Sequence, residues 1–155
     1  MRLSTKGRYA VMAMADLAAH GQSRAVPLAE IAARQQISLD YLEQLFARLR
    51  RGGLVRSVRG PGGGYRLAKG AEETRVSEVV LAVDEPLRAT RCTGGETPQT
   101  GCMASGEQCL THGLWEALGR RIETYLDGVS LDDVLNRRFD PPPAATAPPS
   151  TQAAA

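Results

Sequence analysis

Residues 37–65 read ISLDYLEQLFARLRRGGLVRSVRGPGGGY, and this stretch decides the fold. Leu39, Leu42, Leu45, Phe46 and Leu49 recur at three- and four-residue spacing, the period of a helix with one apolar face. Ser38 stands where an N-cap is wanted. Arg48, Arg50 and Arg51 fall in the last turns, where cations complement the helix dipole, and Gly52-Gly53 ends the helix. Residues 54–58 (LVRSV) are apolar and β-branched enough for a strand, residues 59–64 (RGPGGG) make a turn, and residues 65–67 return as a second strand.

Working outward, Tyr9, Met12, Ala13 and Leu17 mark a helix over residues 4–19, with Gly21 where it would stop. A short extended piece, 24–26, leads to Pro27. Leu28, Ile31 and Ala32 then share one face of a second helix over 28–36. Helix, helix, short turn, helix, hairpin is the order of a winged helix-turn-helix, so the expected fold class is mainly α with a small β-hairpin. Downstream, residues 76–83 read as a short buried helix stopped before Pro86. Residues 88–106 are rich in Thr, Gly, Glu and Gln without periodicity and are expected to form a loop. Leu114, Trp115, Leu118, Ile122, Tyr125, Leu126 and Val129 mark a long amphipathic helix. Ser130 is placed to cap a final short helix with Leu131, Val134 and Leu135 inward. The Pro/Ala-rich stretch 140–155 carries no core-forming pattern and is expected to be disordered. The organisation predicted is therefore a winged domain over 1–70, a connecting helix over 71–87, a loop over 88–112, a long and a short helix over 113–139, and a tail.

The net charge of +2 hides an asymmetry. Residues 1–69 carry twelve Lys/Arg against four Asp/Glu, a balance of +8, and residues 70–155 carry seven against thirteen, a balance of −6. A basic half joined to an acidic half suggests a polyanion partner for the first half alone. No apolar run approaches the roughly 20 residues of a membrane-spanning helix. The first residues imitate a signal peptide, but Asp16 interrupts the apolar stretch and the spacing is helical. Three cysteines, an odd number, do not suit disulfide staples, and the chain is expected in a reducing cytoplasm.

In a helix-turn-helix the second helix enters the major groove. Ser38, Asp40, Tyr41, Glu43 and Gln44 are its exposed positions near the start; Gln44 suits adenine and Glu43 accepts from cytosine N4. Ser57, Arg59 and the PGGG turn belong to the wing, where glycines admit close approach to a sugar-phosphate chain and Arg59 suits a minor groove. The GPGGGY run is no nucleotide loop, for it lacks both the Lys-Ser/Thr pair and the GxGxxG spacing.

Cys92-x9-Cys102-x6-Cys109-x2-His112 gathers every cysteine and one of the two histidines within 21 residues. Thiolates with an imidazole suit zinc, copper or an iron–sulfur cluster. Structural zinc prefers two tight ligand pairs, and only Cys109/His112 is tight here. A Cys/His enzyme is the rival from another class, but the chain offers no third orienting group and no nucleophile elbow. An electron carrier would have no use for residues 1–69.

The segments MRLSTKGRYAVMAMADLA, ISLDYLEQLFARLRRGGLV, SVRGPGGGYRL, AVDEPLRATRC and CLTHGLWEAL resemble the IscR family of iron–sulfur cluster regulators. The resemblance runs from Met1 to about Arg138. It implies a winged-helix homodimer that regulates transcription of cluster-assembly genes, mainly as a repressor. It also implies a double-stranded DNA operator as partner, traffic with cluster-assembly scaffold proteins, and no membrane. By position it makes Cys92, Cys102, Cys109 and His112 the ligands of a [2Fe-2S] cluster. Ser38, Asp40, Glu43, Gln44, Ser57, Arg59 and Pro61 become DNA contacts, and Leu114, Leu118, Ile122, Tyr125 and Val129 the dimerisation stripe. Two departures stand out. The Cys92–Cys109 loop is longer than the family leads one to expect, and Asp40 replaces a small hydroxyl residue. Nitric-oxide-sensing relatives use an acid near the N-terminus as a further ligand, whereas here no acid precedes Asp16.

Overall fold

The computed structural model describes residues 5–84, 102–103 and 105–139. Cys92, most of the expected loop and the tail from Asp140 lie outside the described residues. The elements are α1 (Thr5–His20), α2 (Leu28–Gln35), α3 (Leu39–Arg51), β1 (Val55–Val58), β2 (Gly64–Leu67), α4 (Val76–Ala82), α5 (His112–Gly128) and α6 (Leu131–Leu135). The expected order of elements is present, with ends shifted by a residue or so.

Helix α1 runs through the middle of the molecule. Its small residues Gly7, Ala10, Ala13 and Ala18 are buried beside Met14 and Leu17, so neighbouring elements can approach its backbone closely. Ile31 from α2, Leu42, Leu45, Phe46 and Leu49 from α3, and Leu54 and Val55 from the hairpin close the core around it. At roughly 1.5–3 kcal/mol for each large apolar side chain withdrawn from water, this cluster is the main favourable term of the fold. Leu39 is a correction. Expected in the buried stripe, it is 40% exposed, because it lies one turn before Glu43 on the outer face of α3.

The turn between α2 and α3 is made by Gln36 in the left-handed region (φ 55°) and by Ser38, whose Oγ accepts from the Tyr41 amide at 3.4 Å. The hairpin pairs β1 with β2 antiparallel, Ser57 opposite Tyr65 and Val58 opposite Gly64. Val26 adds a third edge. Its N–H donates to the Tyr65 carbonyl at 2.9 Å, and the Tyr65 N–H donates to the Val26 carbonyl at 2.8 Å.

After α5 the chain turns back: the Val76 N–H donates to the Val129 carbonyl at 2.9 Å, and the Leu131 N–H donates to the Thr74 carbonyl at 2.9 Å. Ser130 caps α6 as expected, in a capping box with Asp133. Leu131 is fully buried in the same core as α1 and α3. Val129 is therefore a second correction. Helix α5 stops at Gly128, and the extended backbone of Val129 (φ −101°, ψ 123°) turns its side chain against Val76 and Val80 of its own chain, off the exposed stripe.

One buried charge ties α1 to α2. The Asp16 carboxylate, whose side chain has no exposed surface, accepts from Arg34 Nε at 3.0 Å, Arg34 Nη2 at 2.7 Å and Gln35 Nε2 at 2.7 Å. Burial alone would raise its pKa, but the hydrogen bonds from Arg34 and Gln35 outweigh it and hold the value below the ordinary 3.8. A carboxylate whose folded pKa lies below its unfolded one adds stability that is complete above the unfolded value and is lost as pH falls through the folded one. Asp16→Asn is expected to cost about 2 kcal/mol at neutral pH, the worth of a hydrogen bond to a charged group. The deficit should shrink below about pH 4. Urea unfolding across that range checks both; a constant deficit would show that the pair does not act through charge.

Candidate nucleic-acid interface and metal centre

The candidate DNA-facing surface is built on two joined elements, α3 and the hairpin. Phe46, on the inner side of α3, packs edge-on against Tyr65 of β2, ring centroids 4.9 Å apart, so the recognition helix and the wing share one anchor. On the outer side Ser38, Asp40, Glu43 and Gln44 are all exposed, as are Ser57, Arg59 and Pro61 on the wing. Exposed Leu39 joins them on the side of Glu43, an apolar surface of the kind that meets a thymine methyl. Periodicity alone hid it, since a leucine in register with a buried stripe reads as core.

The wing tip is a four-residue turn, Gly60-Pro61-Gly62-Gly63, in which the Gly63 N–H donates to the Gly60 carbonyl at 2.9 Å. Pro61 stands at the second position and Gly62 (φ 74°) at the third, the pattern of a type II turn. The tip thus has a fixed shape, which positions Arg59 beside it.

The basic half divides into two kinds of side chain. Arg24 and Arg34 pair with Glu30, Arg34 also with Asp16, Lys69 with Glu78, and Arg48 with Asp84; these hold the fold. Two hydrogen-bonded arginines pull Glu30 down to a pKa of about 2. Arg50, Arg51, Arg56 and Arg59 are exposed at the end of α3 and along the wing, with no ion pair among the described residues. They are the side chains free to displace counterions from a phosphate backbone. Arg59→Ala is expected to weaken operator binding about tenfold and to relax the preference for A·T pairs beneath the wing. Competition binding against operators altered only there would measure it, and unchanged affinity and preference would remove Arg59 from the readout.

The second cluster lies at the start of α5. His112 is the first helical residue, and its N–H donates to the Cys109 carbonyl at 2.9 Å. His112 Nδ1 is 3.6 Å from Cys102 Sγ, and the Cys109 amide donates to the same sulfur at 3.0 Å. Ligands at about 2.3 Å (sulfur) and about 2.1 Å (nitrogen) from one tetrahedral metal stand about 3.6 Å apart. An amide aimed at the sulfur is also what a thiolate ligand accepts. The donor set and this spacing fit a metal held by thiolate and imidazole. Two of the four expected ligands are thus brought together, Cys109 is adjacent, and Cys92 lies outside the described residues. Among the described residues no three His, Cys, Asp or Glu side chains gather as a complete metal site.

A family model, Rrf2, described as iron-dependent transcriptional regulators, matches residues 3–137. The chain belongs to the Rrf2 family. Among Rrf2 relatives it is similar to the HTH-type transcriptional regulator IscR of Photorhabdus laumondii, 57% identical over 138 residues that cover 89% of this chain and 81% of that one. The IscR of Pectobacterium carotovorum is 56% identical over the same shares. Of solved Rrf2-like structures, T. potens IscR superposes with a TM-score of 0.71 at 37% identity, covering 89% of this chain and 88% of the other. CymR, the global cysteine regulator of B. subtilis, gives 0.74 at 28% identity over 88% and 98%. The expected fold class and the IscR resemblance both hold. The chain is a DNA-binding transcription regulator. No described helix is long and apolar enough to cross a membrane.

Proposed function

We propose that this regulator senses an iron–sulfur cluster and controls, mainly by repression, the genes of cluster assembly. Cys92, Cys102, Cys109 and His112 would hold a [2Fe-2S] cluster, received from assembly scaffold proteins in the cytoplasm. The observation that carries the reading is the approach of Cys102 to His112 at the head of α5, a helix whose other end is bonded to the DNA-reading core. When bound, the cluster supplies a metal cross-link between the loop and that helix, one that iron shortage or oxidants can remove. The residues of the chain do the rest. His112 fixes the link to the first turn of α5. Glu43 tolerates only some bases beneath its carboxylate, so a small change in placement of α3 alters operator choice.

The chain acts as a homodimer in this reading. Leu114, Leu118 and Tyr125 form a ridge on α5 that is 62%, 38% and 43% exposed in the single chain, and a second copy of the same ridge is its natural cover. Ile122 stands half-buried at the edge of that ridge, toward its own chain.

Two classes of operator are expected, one bound well only with cluster present and one bound comparably without it. The test is anaerobic purification with a visible absorption spectrum. Affinities for both classes then follow, for the reconstituted chain, the cluster-free chain and Cys92→Ala. A colourless protein with stoichiometric zinc, or equal affinities throughout, would refute the proposal.

A further inference from the structure

Thr111 occupies the N-cap position of α5, where a threonine ordinarily spends its oxygen on a backbone N–H of the first turn. Here it makes no such bond. Its Oγ1 lies instead 3.1 Å from the Trp115 indole Nε1 and 3.5 Å from Cys109 Sγ. Elementary chemistry sets the direction of this chain. An indole nitrogen only donates, so the threonine oxygen accepts from it and its own proton points elsewhere. A cysteine serving as a metal ligand is a thiolate, which only accepts. In the ligand-holding form the order is Trp115 N–H to Thr111 oxygen, then Thr111 O–H to Cys109 sulfur. The helix builds the relay: Trp115 stands four residues on, one turn above Thr111, and its backbone N–H donates to the Thr111 carbonyl at 3.2 Å.

We propose that Thr111, aimed by the Trp115 indole, is a positioning residue that donates a hydrogen bond to the Cys109 sulfur. The proposal rests on the reading of Cys109 as a cluster ligand. The bond holds the sulfur in one direction and draws electron density from it. A donor at a ligand sulfur favours the more negatively charged, reduced cluster, so the hydroxyl raises the reduction potential. It also slows loss of the cluster, since groups that orient metal ligands contribute about 10–100-fold to retention.

The experiment uses the full chain, reconstituted anaerobically with iron and sulfide, as wild type, Thr111→Val, Thr111→Ser and Trp115→Phe. Valine keeps the shape of threonine and removes the hydroxyl; serine keeps the hydroxyl. Thr111→Val is expected to have a more negative potential and to lose its cluster to a chelator about tenfold faster. Thr111→Ser should stay near wild type, and Trp115→Phe should move the same way as valine by less. Circular dichroism and binding to the cluster-independent operator should be unchanged in all four, which separates the relay from a folding defect. Wild-type potential and retention in Thr111→Val would overturn the proposal, as would a serine variant that fails as the valine one does. A wild-type chain that takes up no cluster would refute the ligand reading, and the relay with it.

Discussion

A chain carrying Leu118→Glu is expected to sediment as a monomer and to bind its operator at least a hundredfold more weakly than wild type. Leu118 lies between Leu114 and Tyr125 on the uncovered ridge of α5, and its exposure in the single chain means that a glutamate there meets water, not core. The protomer therefore keeps its fold. In a dimer the same carboxylate would face apolar surface without a partner, which costs more than the interface returns. Two linked recognition helices engage two half-sites with a high effective concentration for the second, commonly worth a factor of 10² to 10⁴. Losing that linkage is the whole effect. Leu118 makes a cleaner test than Ile122, whose half-buried side chain also supports its own chain. Analytical ultracentrifugation beside a thermal melt decides the matter: a variant that remains a dimer of wild-type affinity would remove this ridge from the interface.

The second large effect is expected at Gly64. A Cβ built there would fall 2.4 Å from the carbonyl carbon and oxygen of Val26 and 2.6 Å from the Pro27 nitrogen, all backbone atoms that cannot swing aside. Its φ of 153° is also one that L side chains rarely adopt. Gly64→Ala must push β2 away from Val26, which breaks the paired bonds between Val26 and Tyr65 and loosens Tyr65 from Phe46. Two hydrogen bonds and the strain together amount to about 3 kcal/mol. The wing would lose its register against α3, so operator binding should fall with stability. Gly113→Ala is the matched control. Its Cβ would meet nothing within 4 Å, and in a helix the change should stabilise by about 0.5–1 kcal/mol. Denaturant melts of the two variants would test the contrast, and an unaffected Gly64→Ala would mean that the wing is not locked against Val26.

Most of the reader was legible because its signals are local. The period of Leu42, Leu45, Phe46 and Leu49, the Ser38 cap and the Gly-Pro-Gly turn each need only a few neighbouring residues to be understood. What escaped depends on partners distant in sequence. Asp16 read as a charge interrupting an apolar helix, and only the fold brings Arg34 and Gln35 to it. Leu39 and Val129 both continue an apolar period past the point where the chain has left the face concerned. Val129 was the harder, since a β-branched residue after Gly128 can extend a helix pattern while its backbone has already turned extended. The thiolate and imidazole spacing suggested ligands, but the diversion of Thr111 from capping to Cys109 and Trp115 has no signature in sequence.

The return of the chain after α5 changes how the molecule can be divided. Helix α5 is not an appendage on the reader: the described body has a border on each side of it, Asp84 after the end of α4, and Val129–Leu131, which bond to Val76 and Thr74 at the start of α4. The stretch that carries the proposed cluster ligands is thus an insertion, with two fixed ends in the body that holds the winged helix. An appendage can shorten or stiffen without its host noticing. An insertion cannot, because any change in its span pulls on both ends of α4 in the same core. A fragment ending at Asp84 would lack the Leu131 wall of that core, so the reader has no smaller form that keeps its own packing. Grafting a different sensor onto it therefore requires two junctions, and the graft must match their separation.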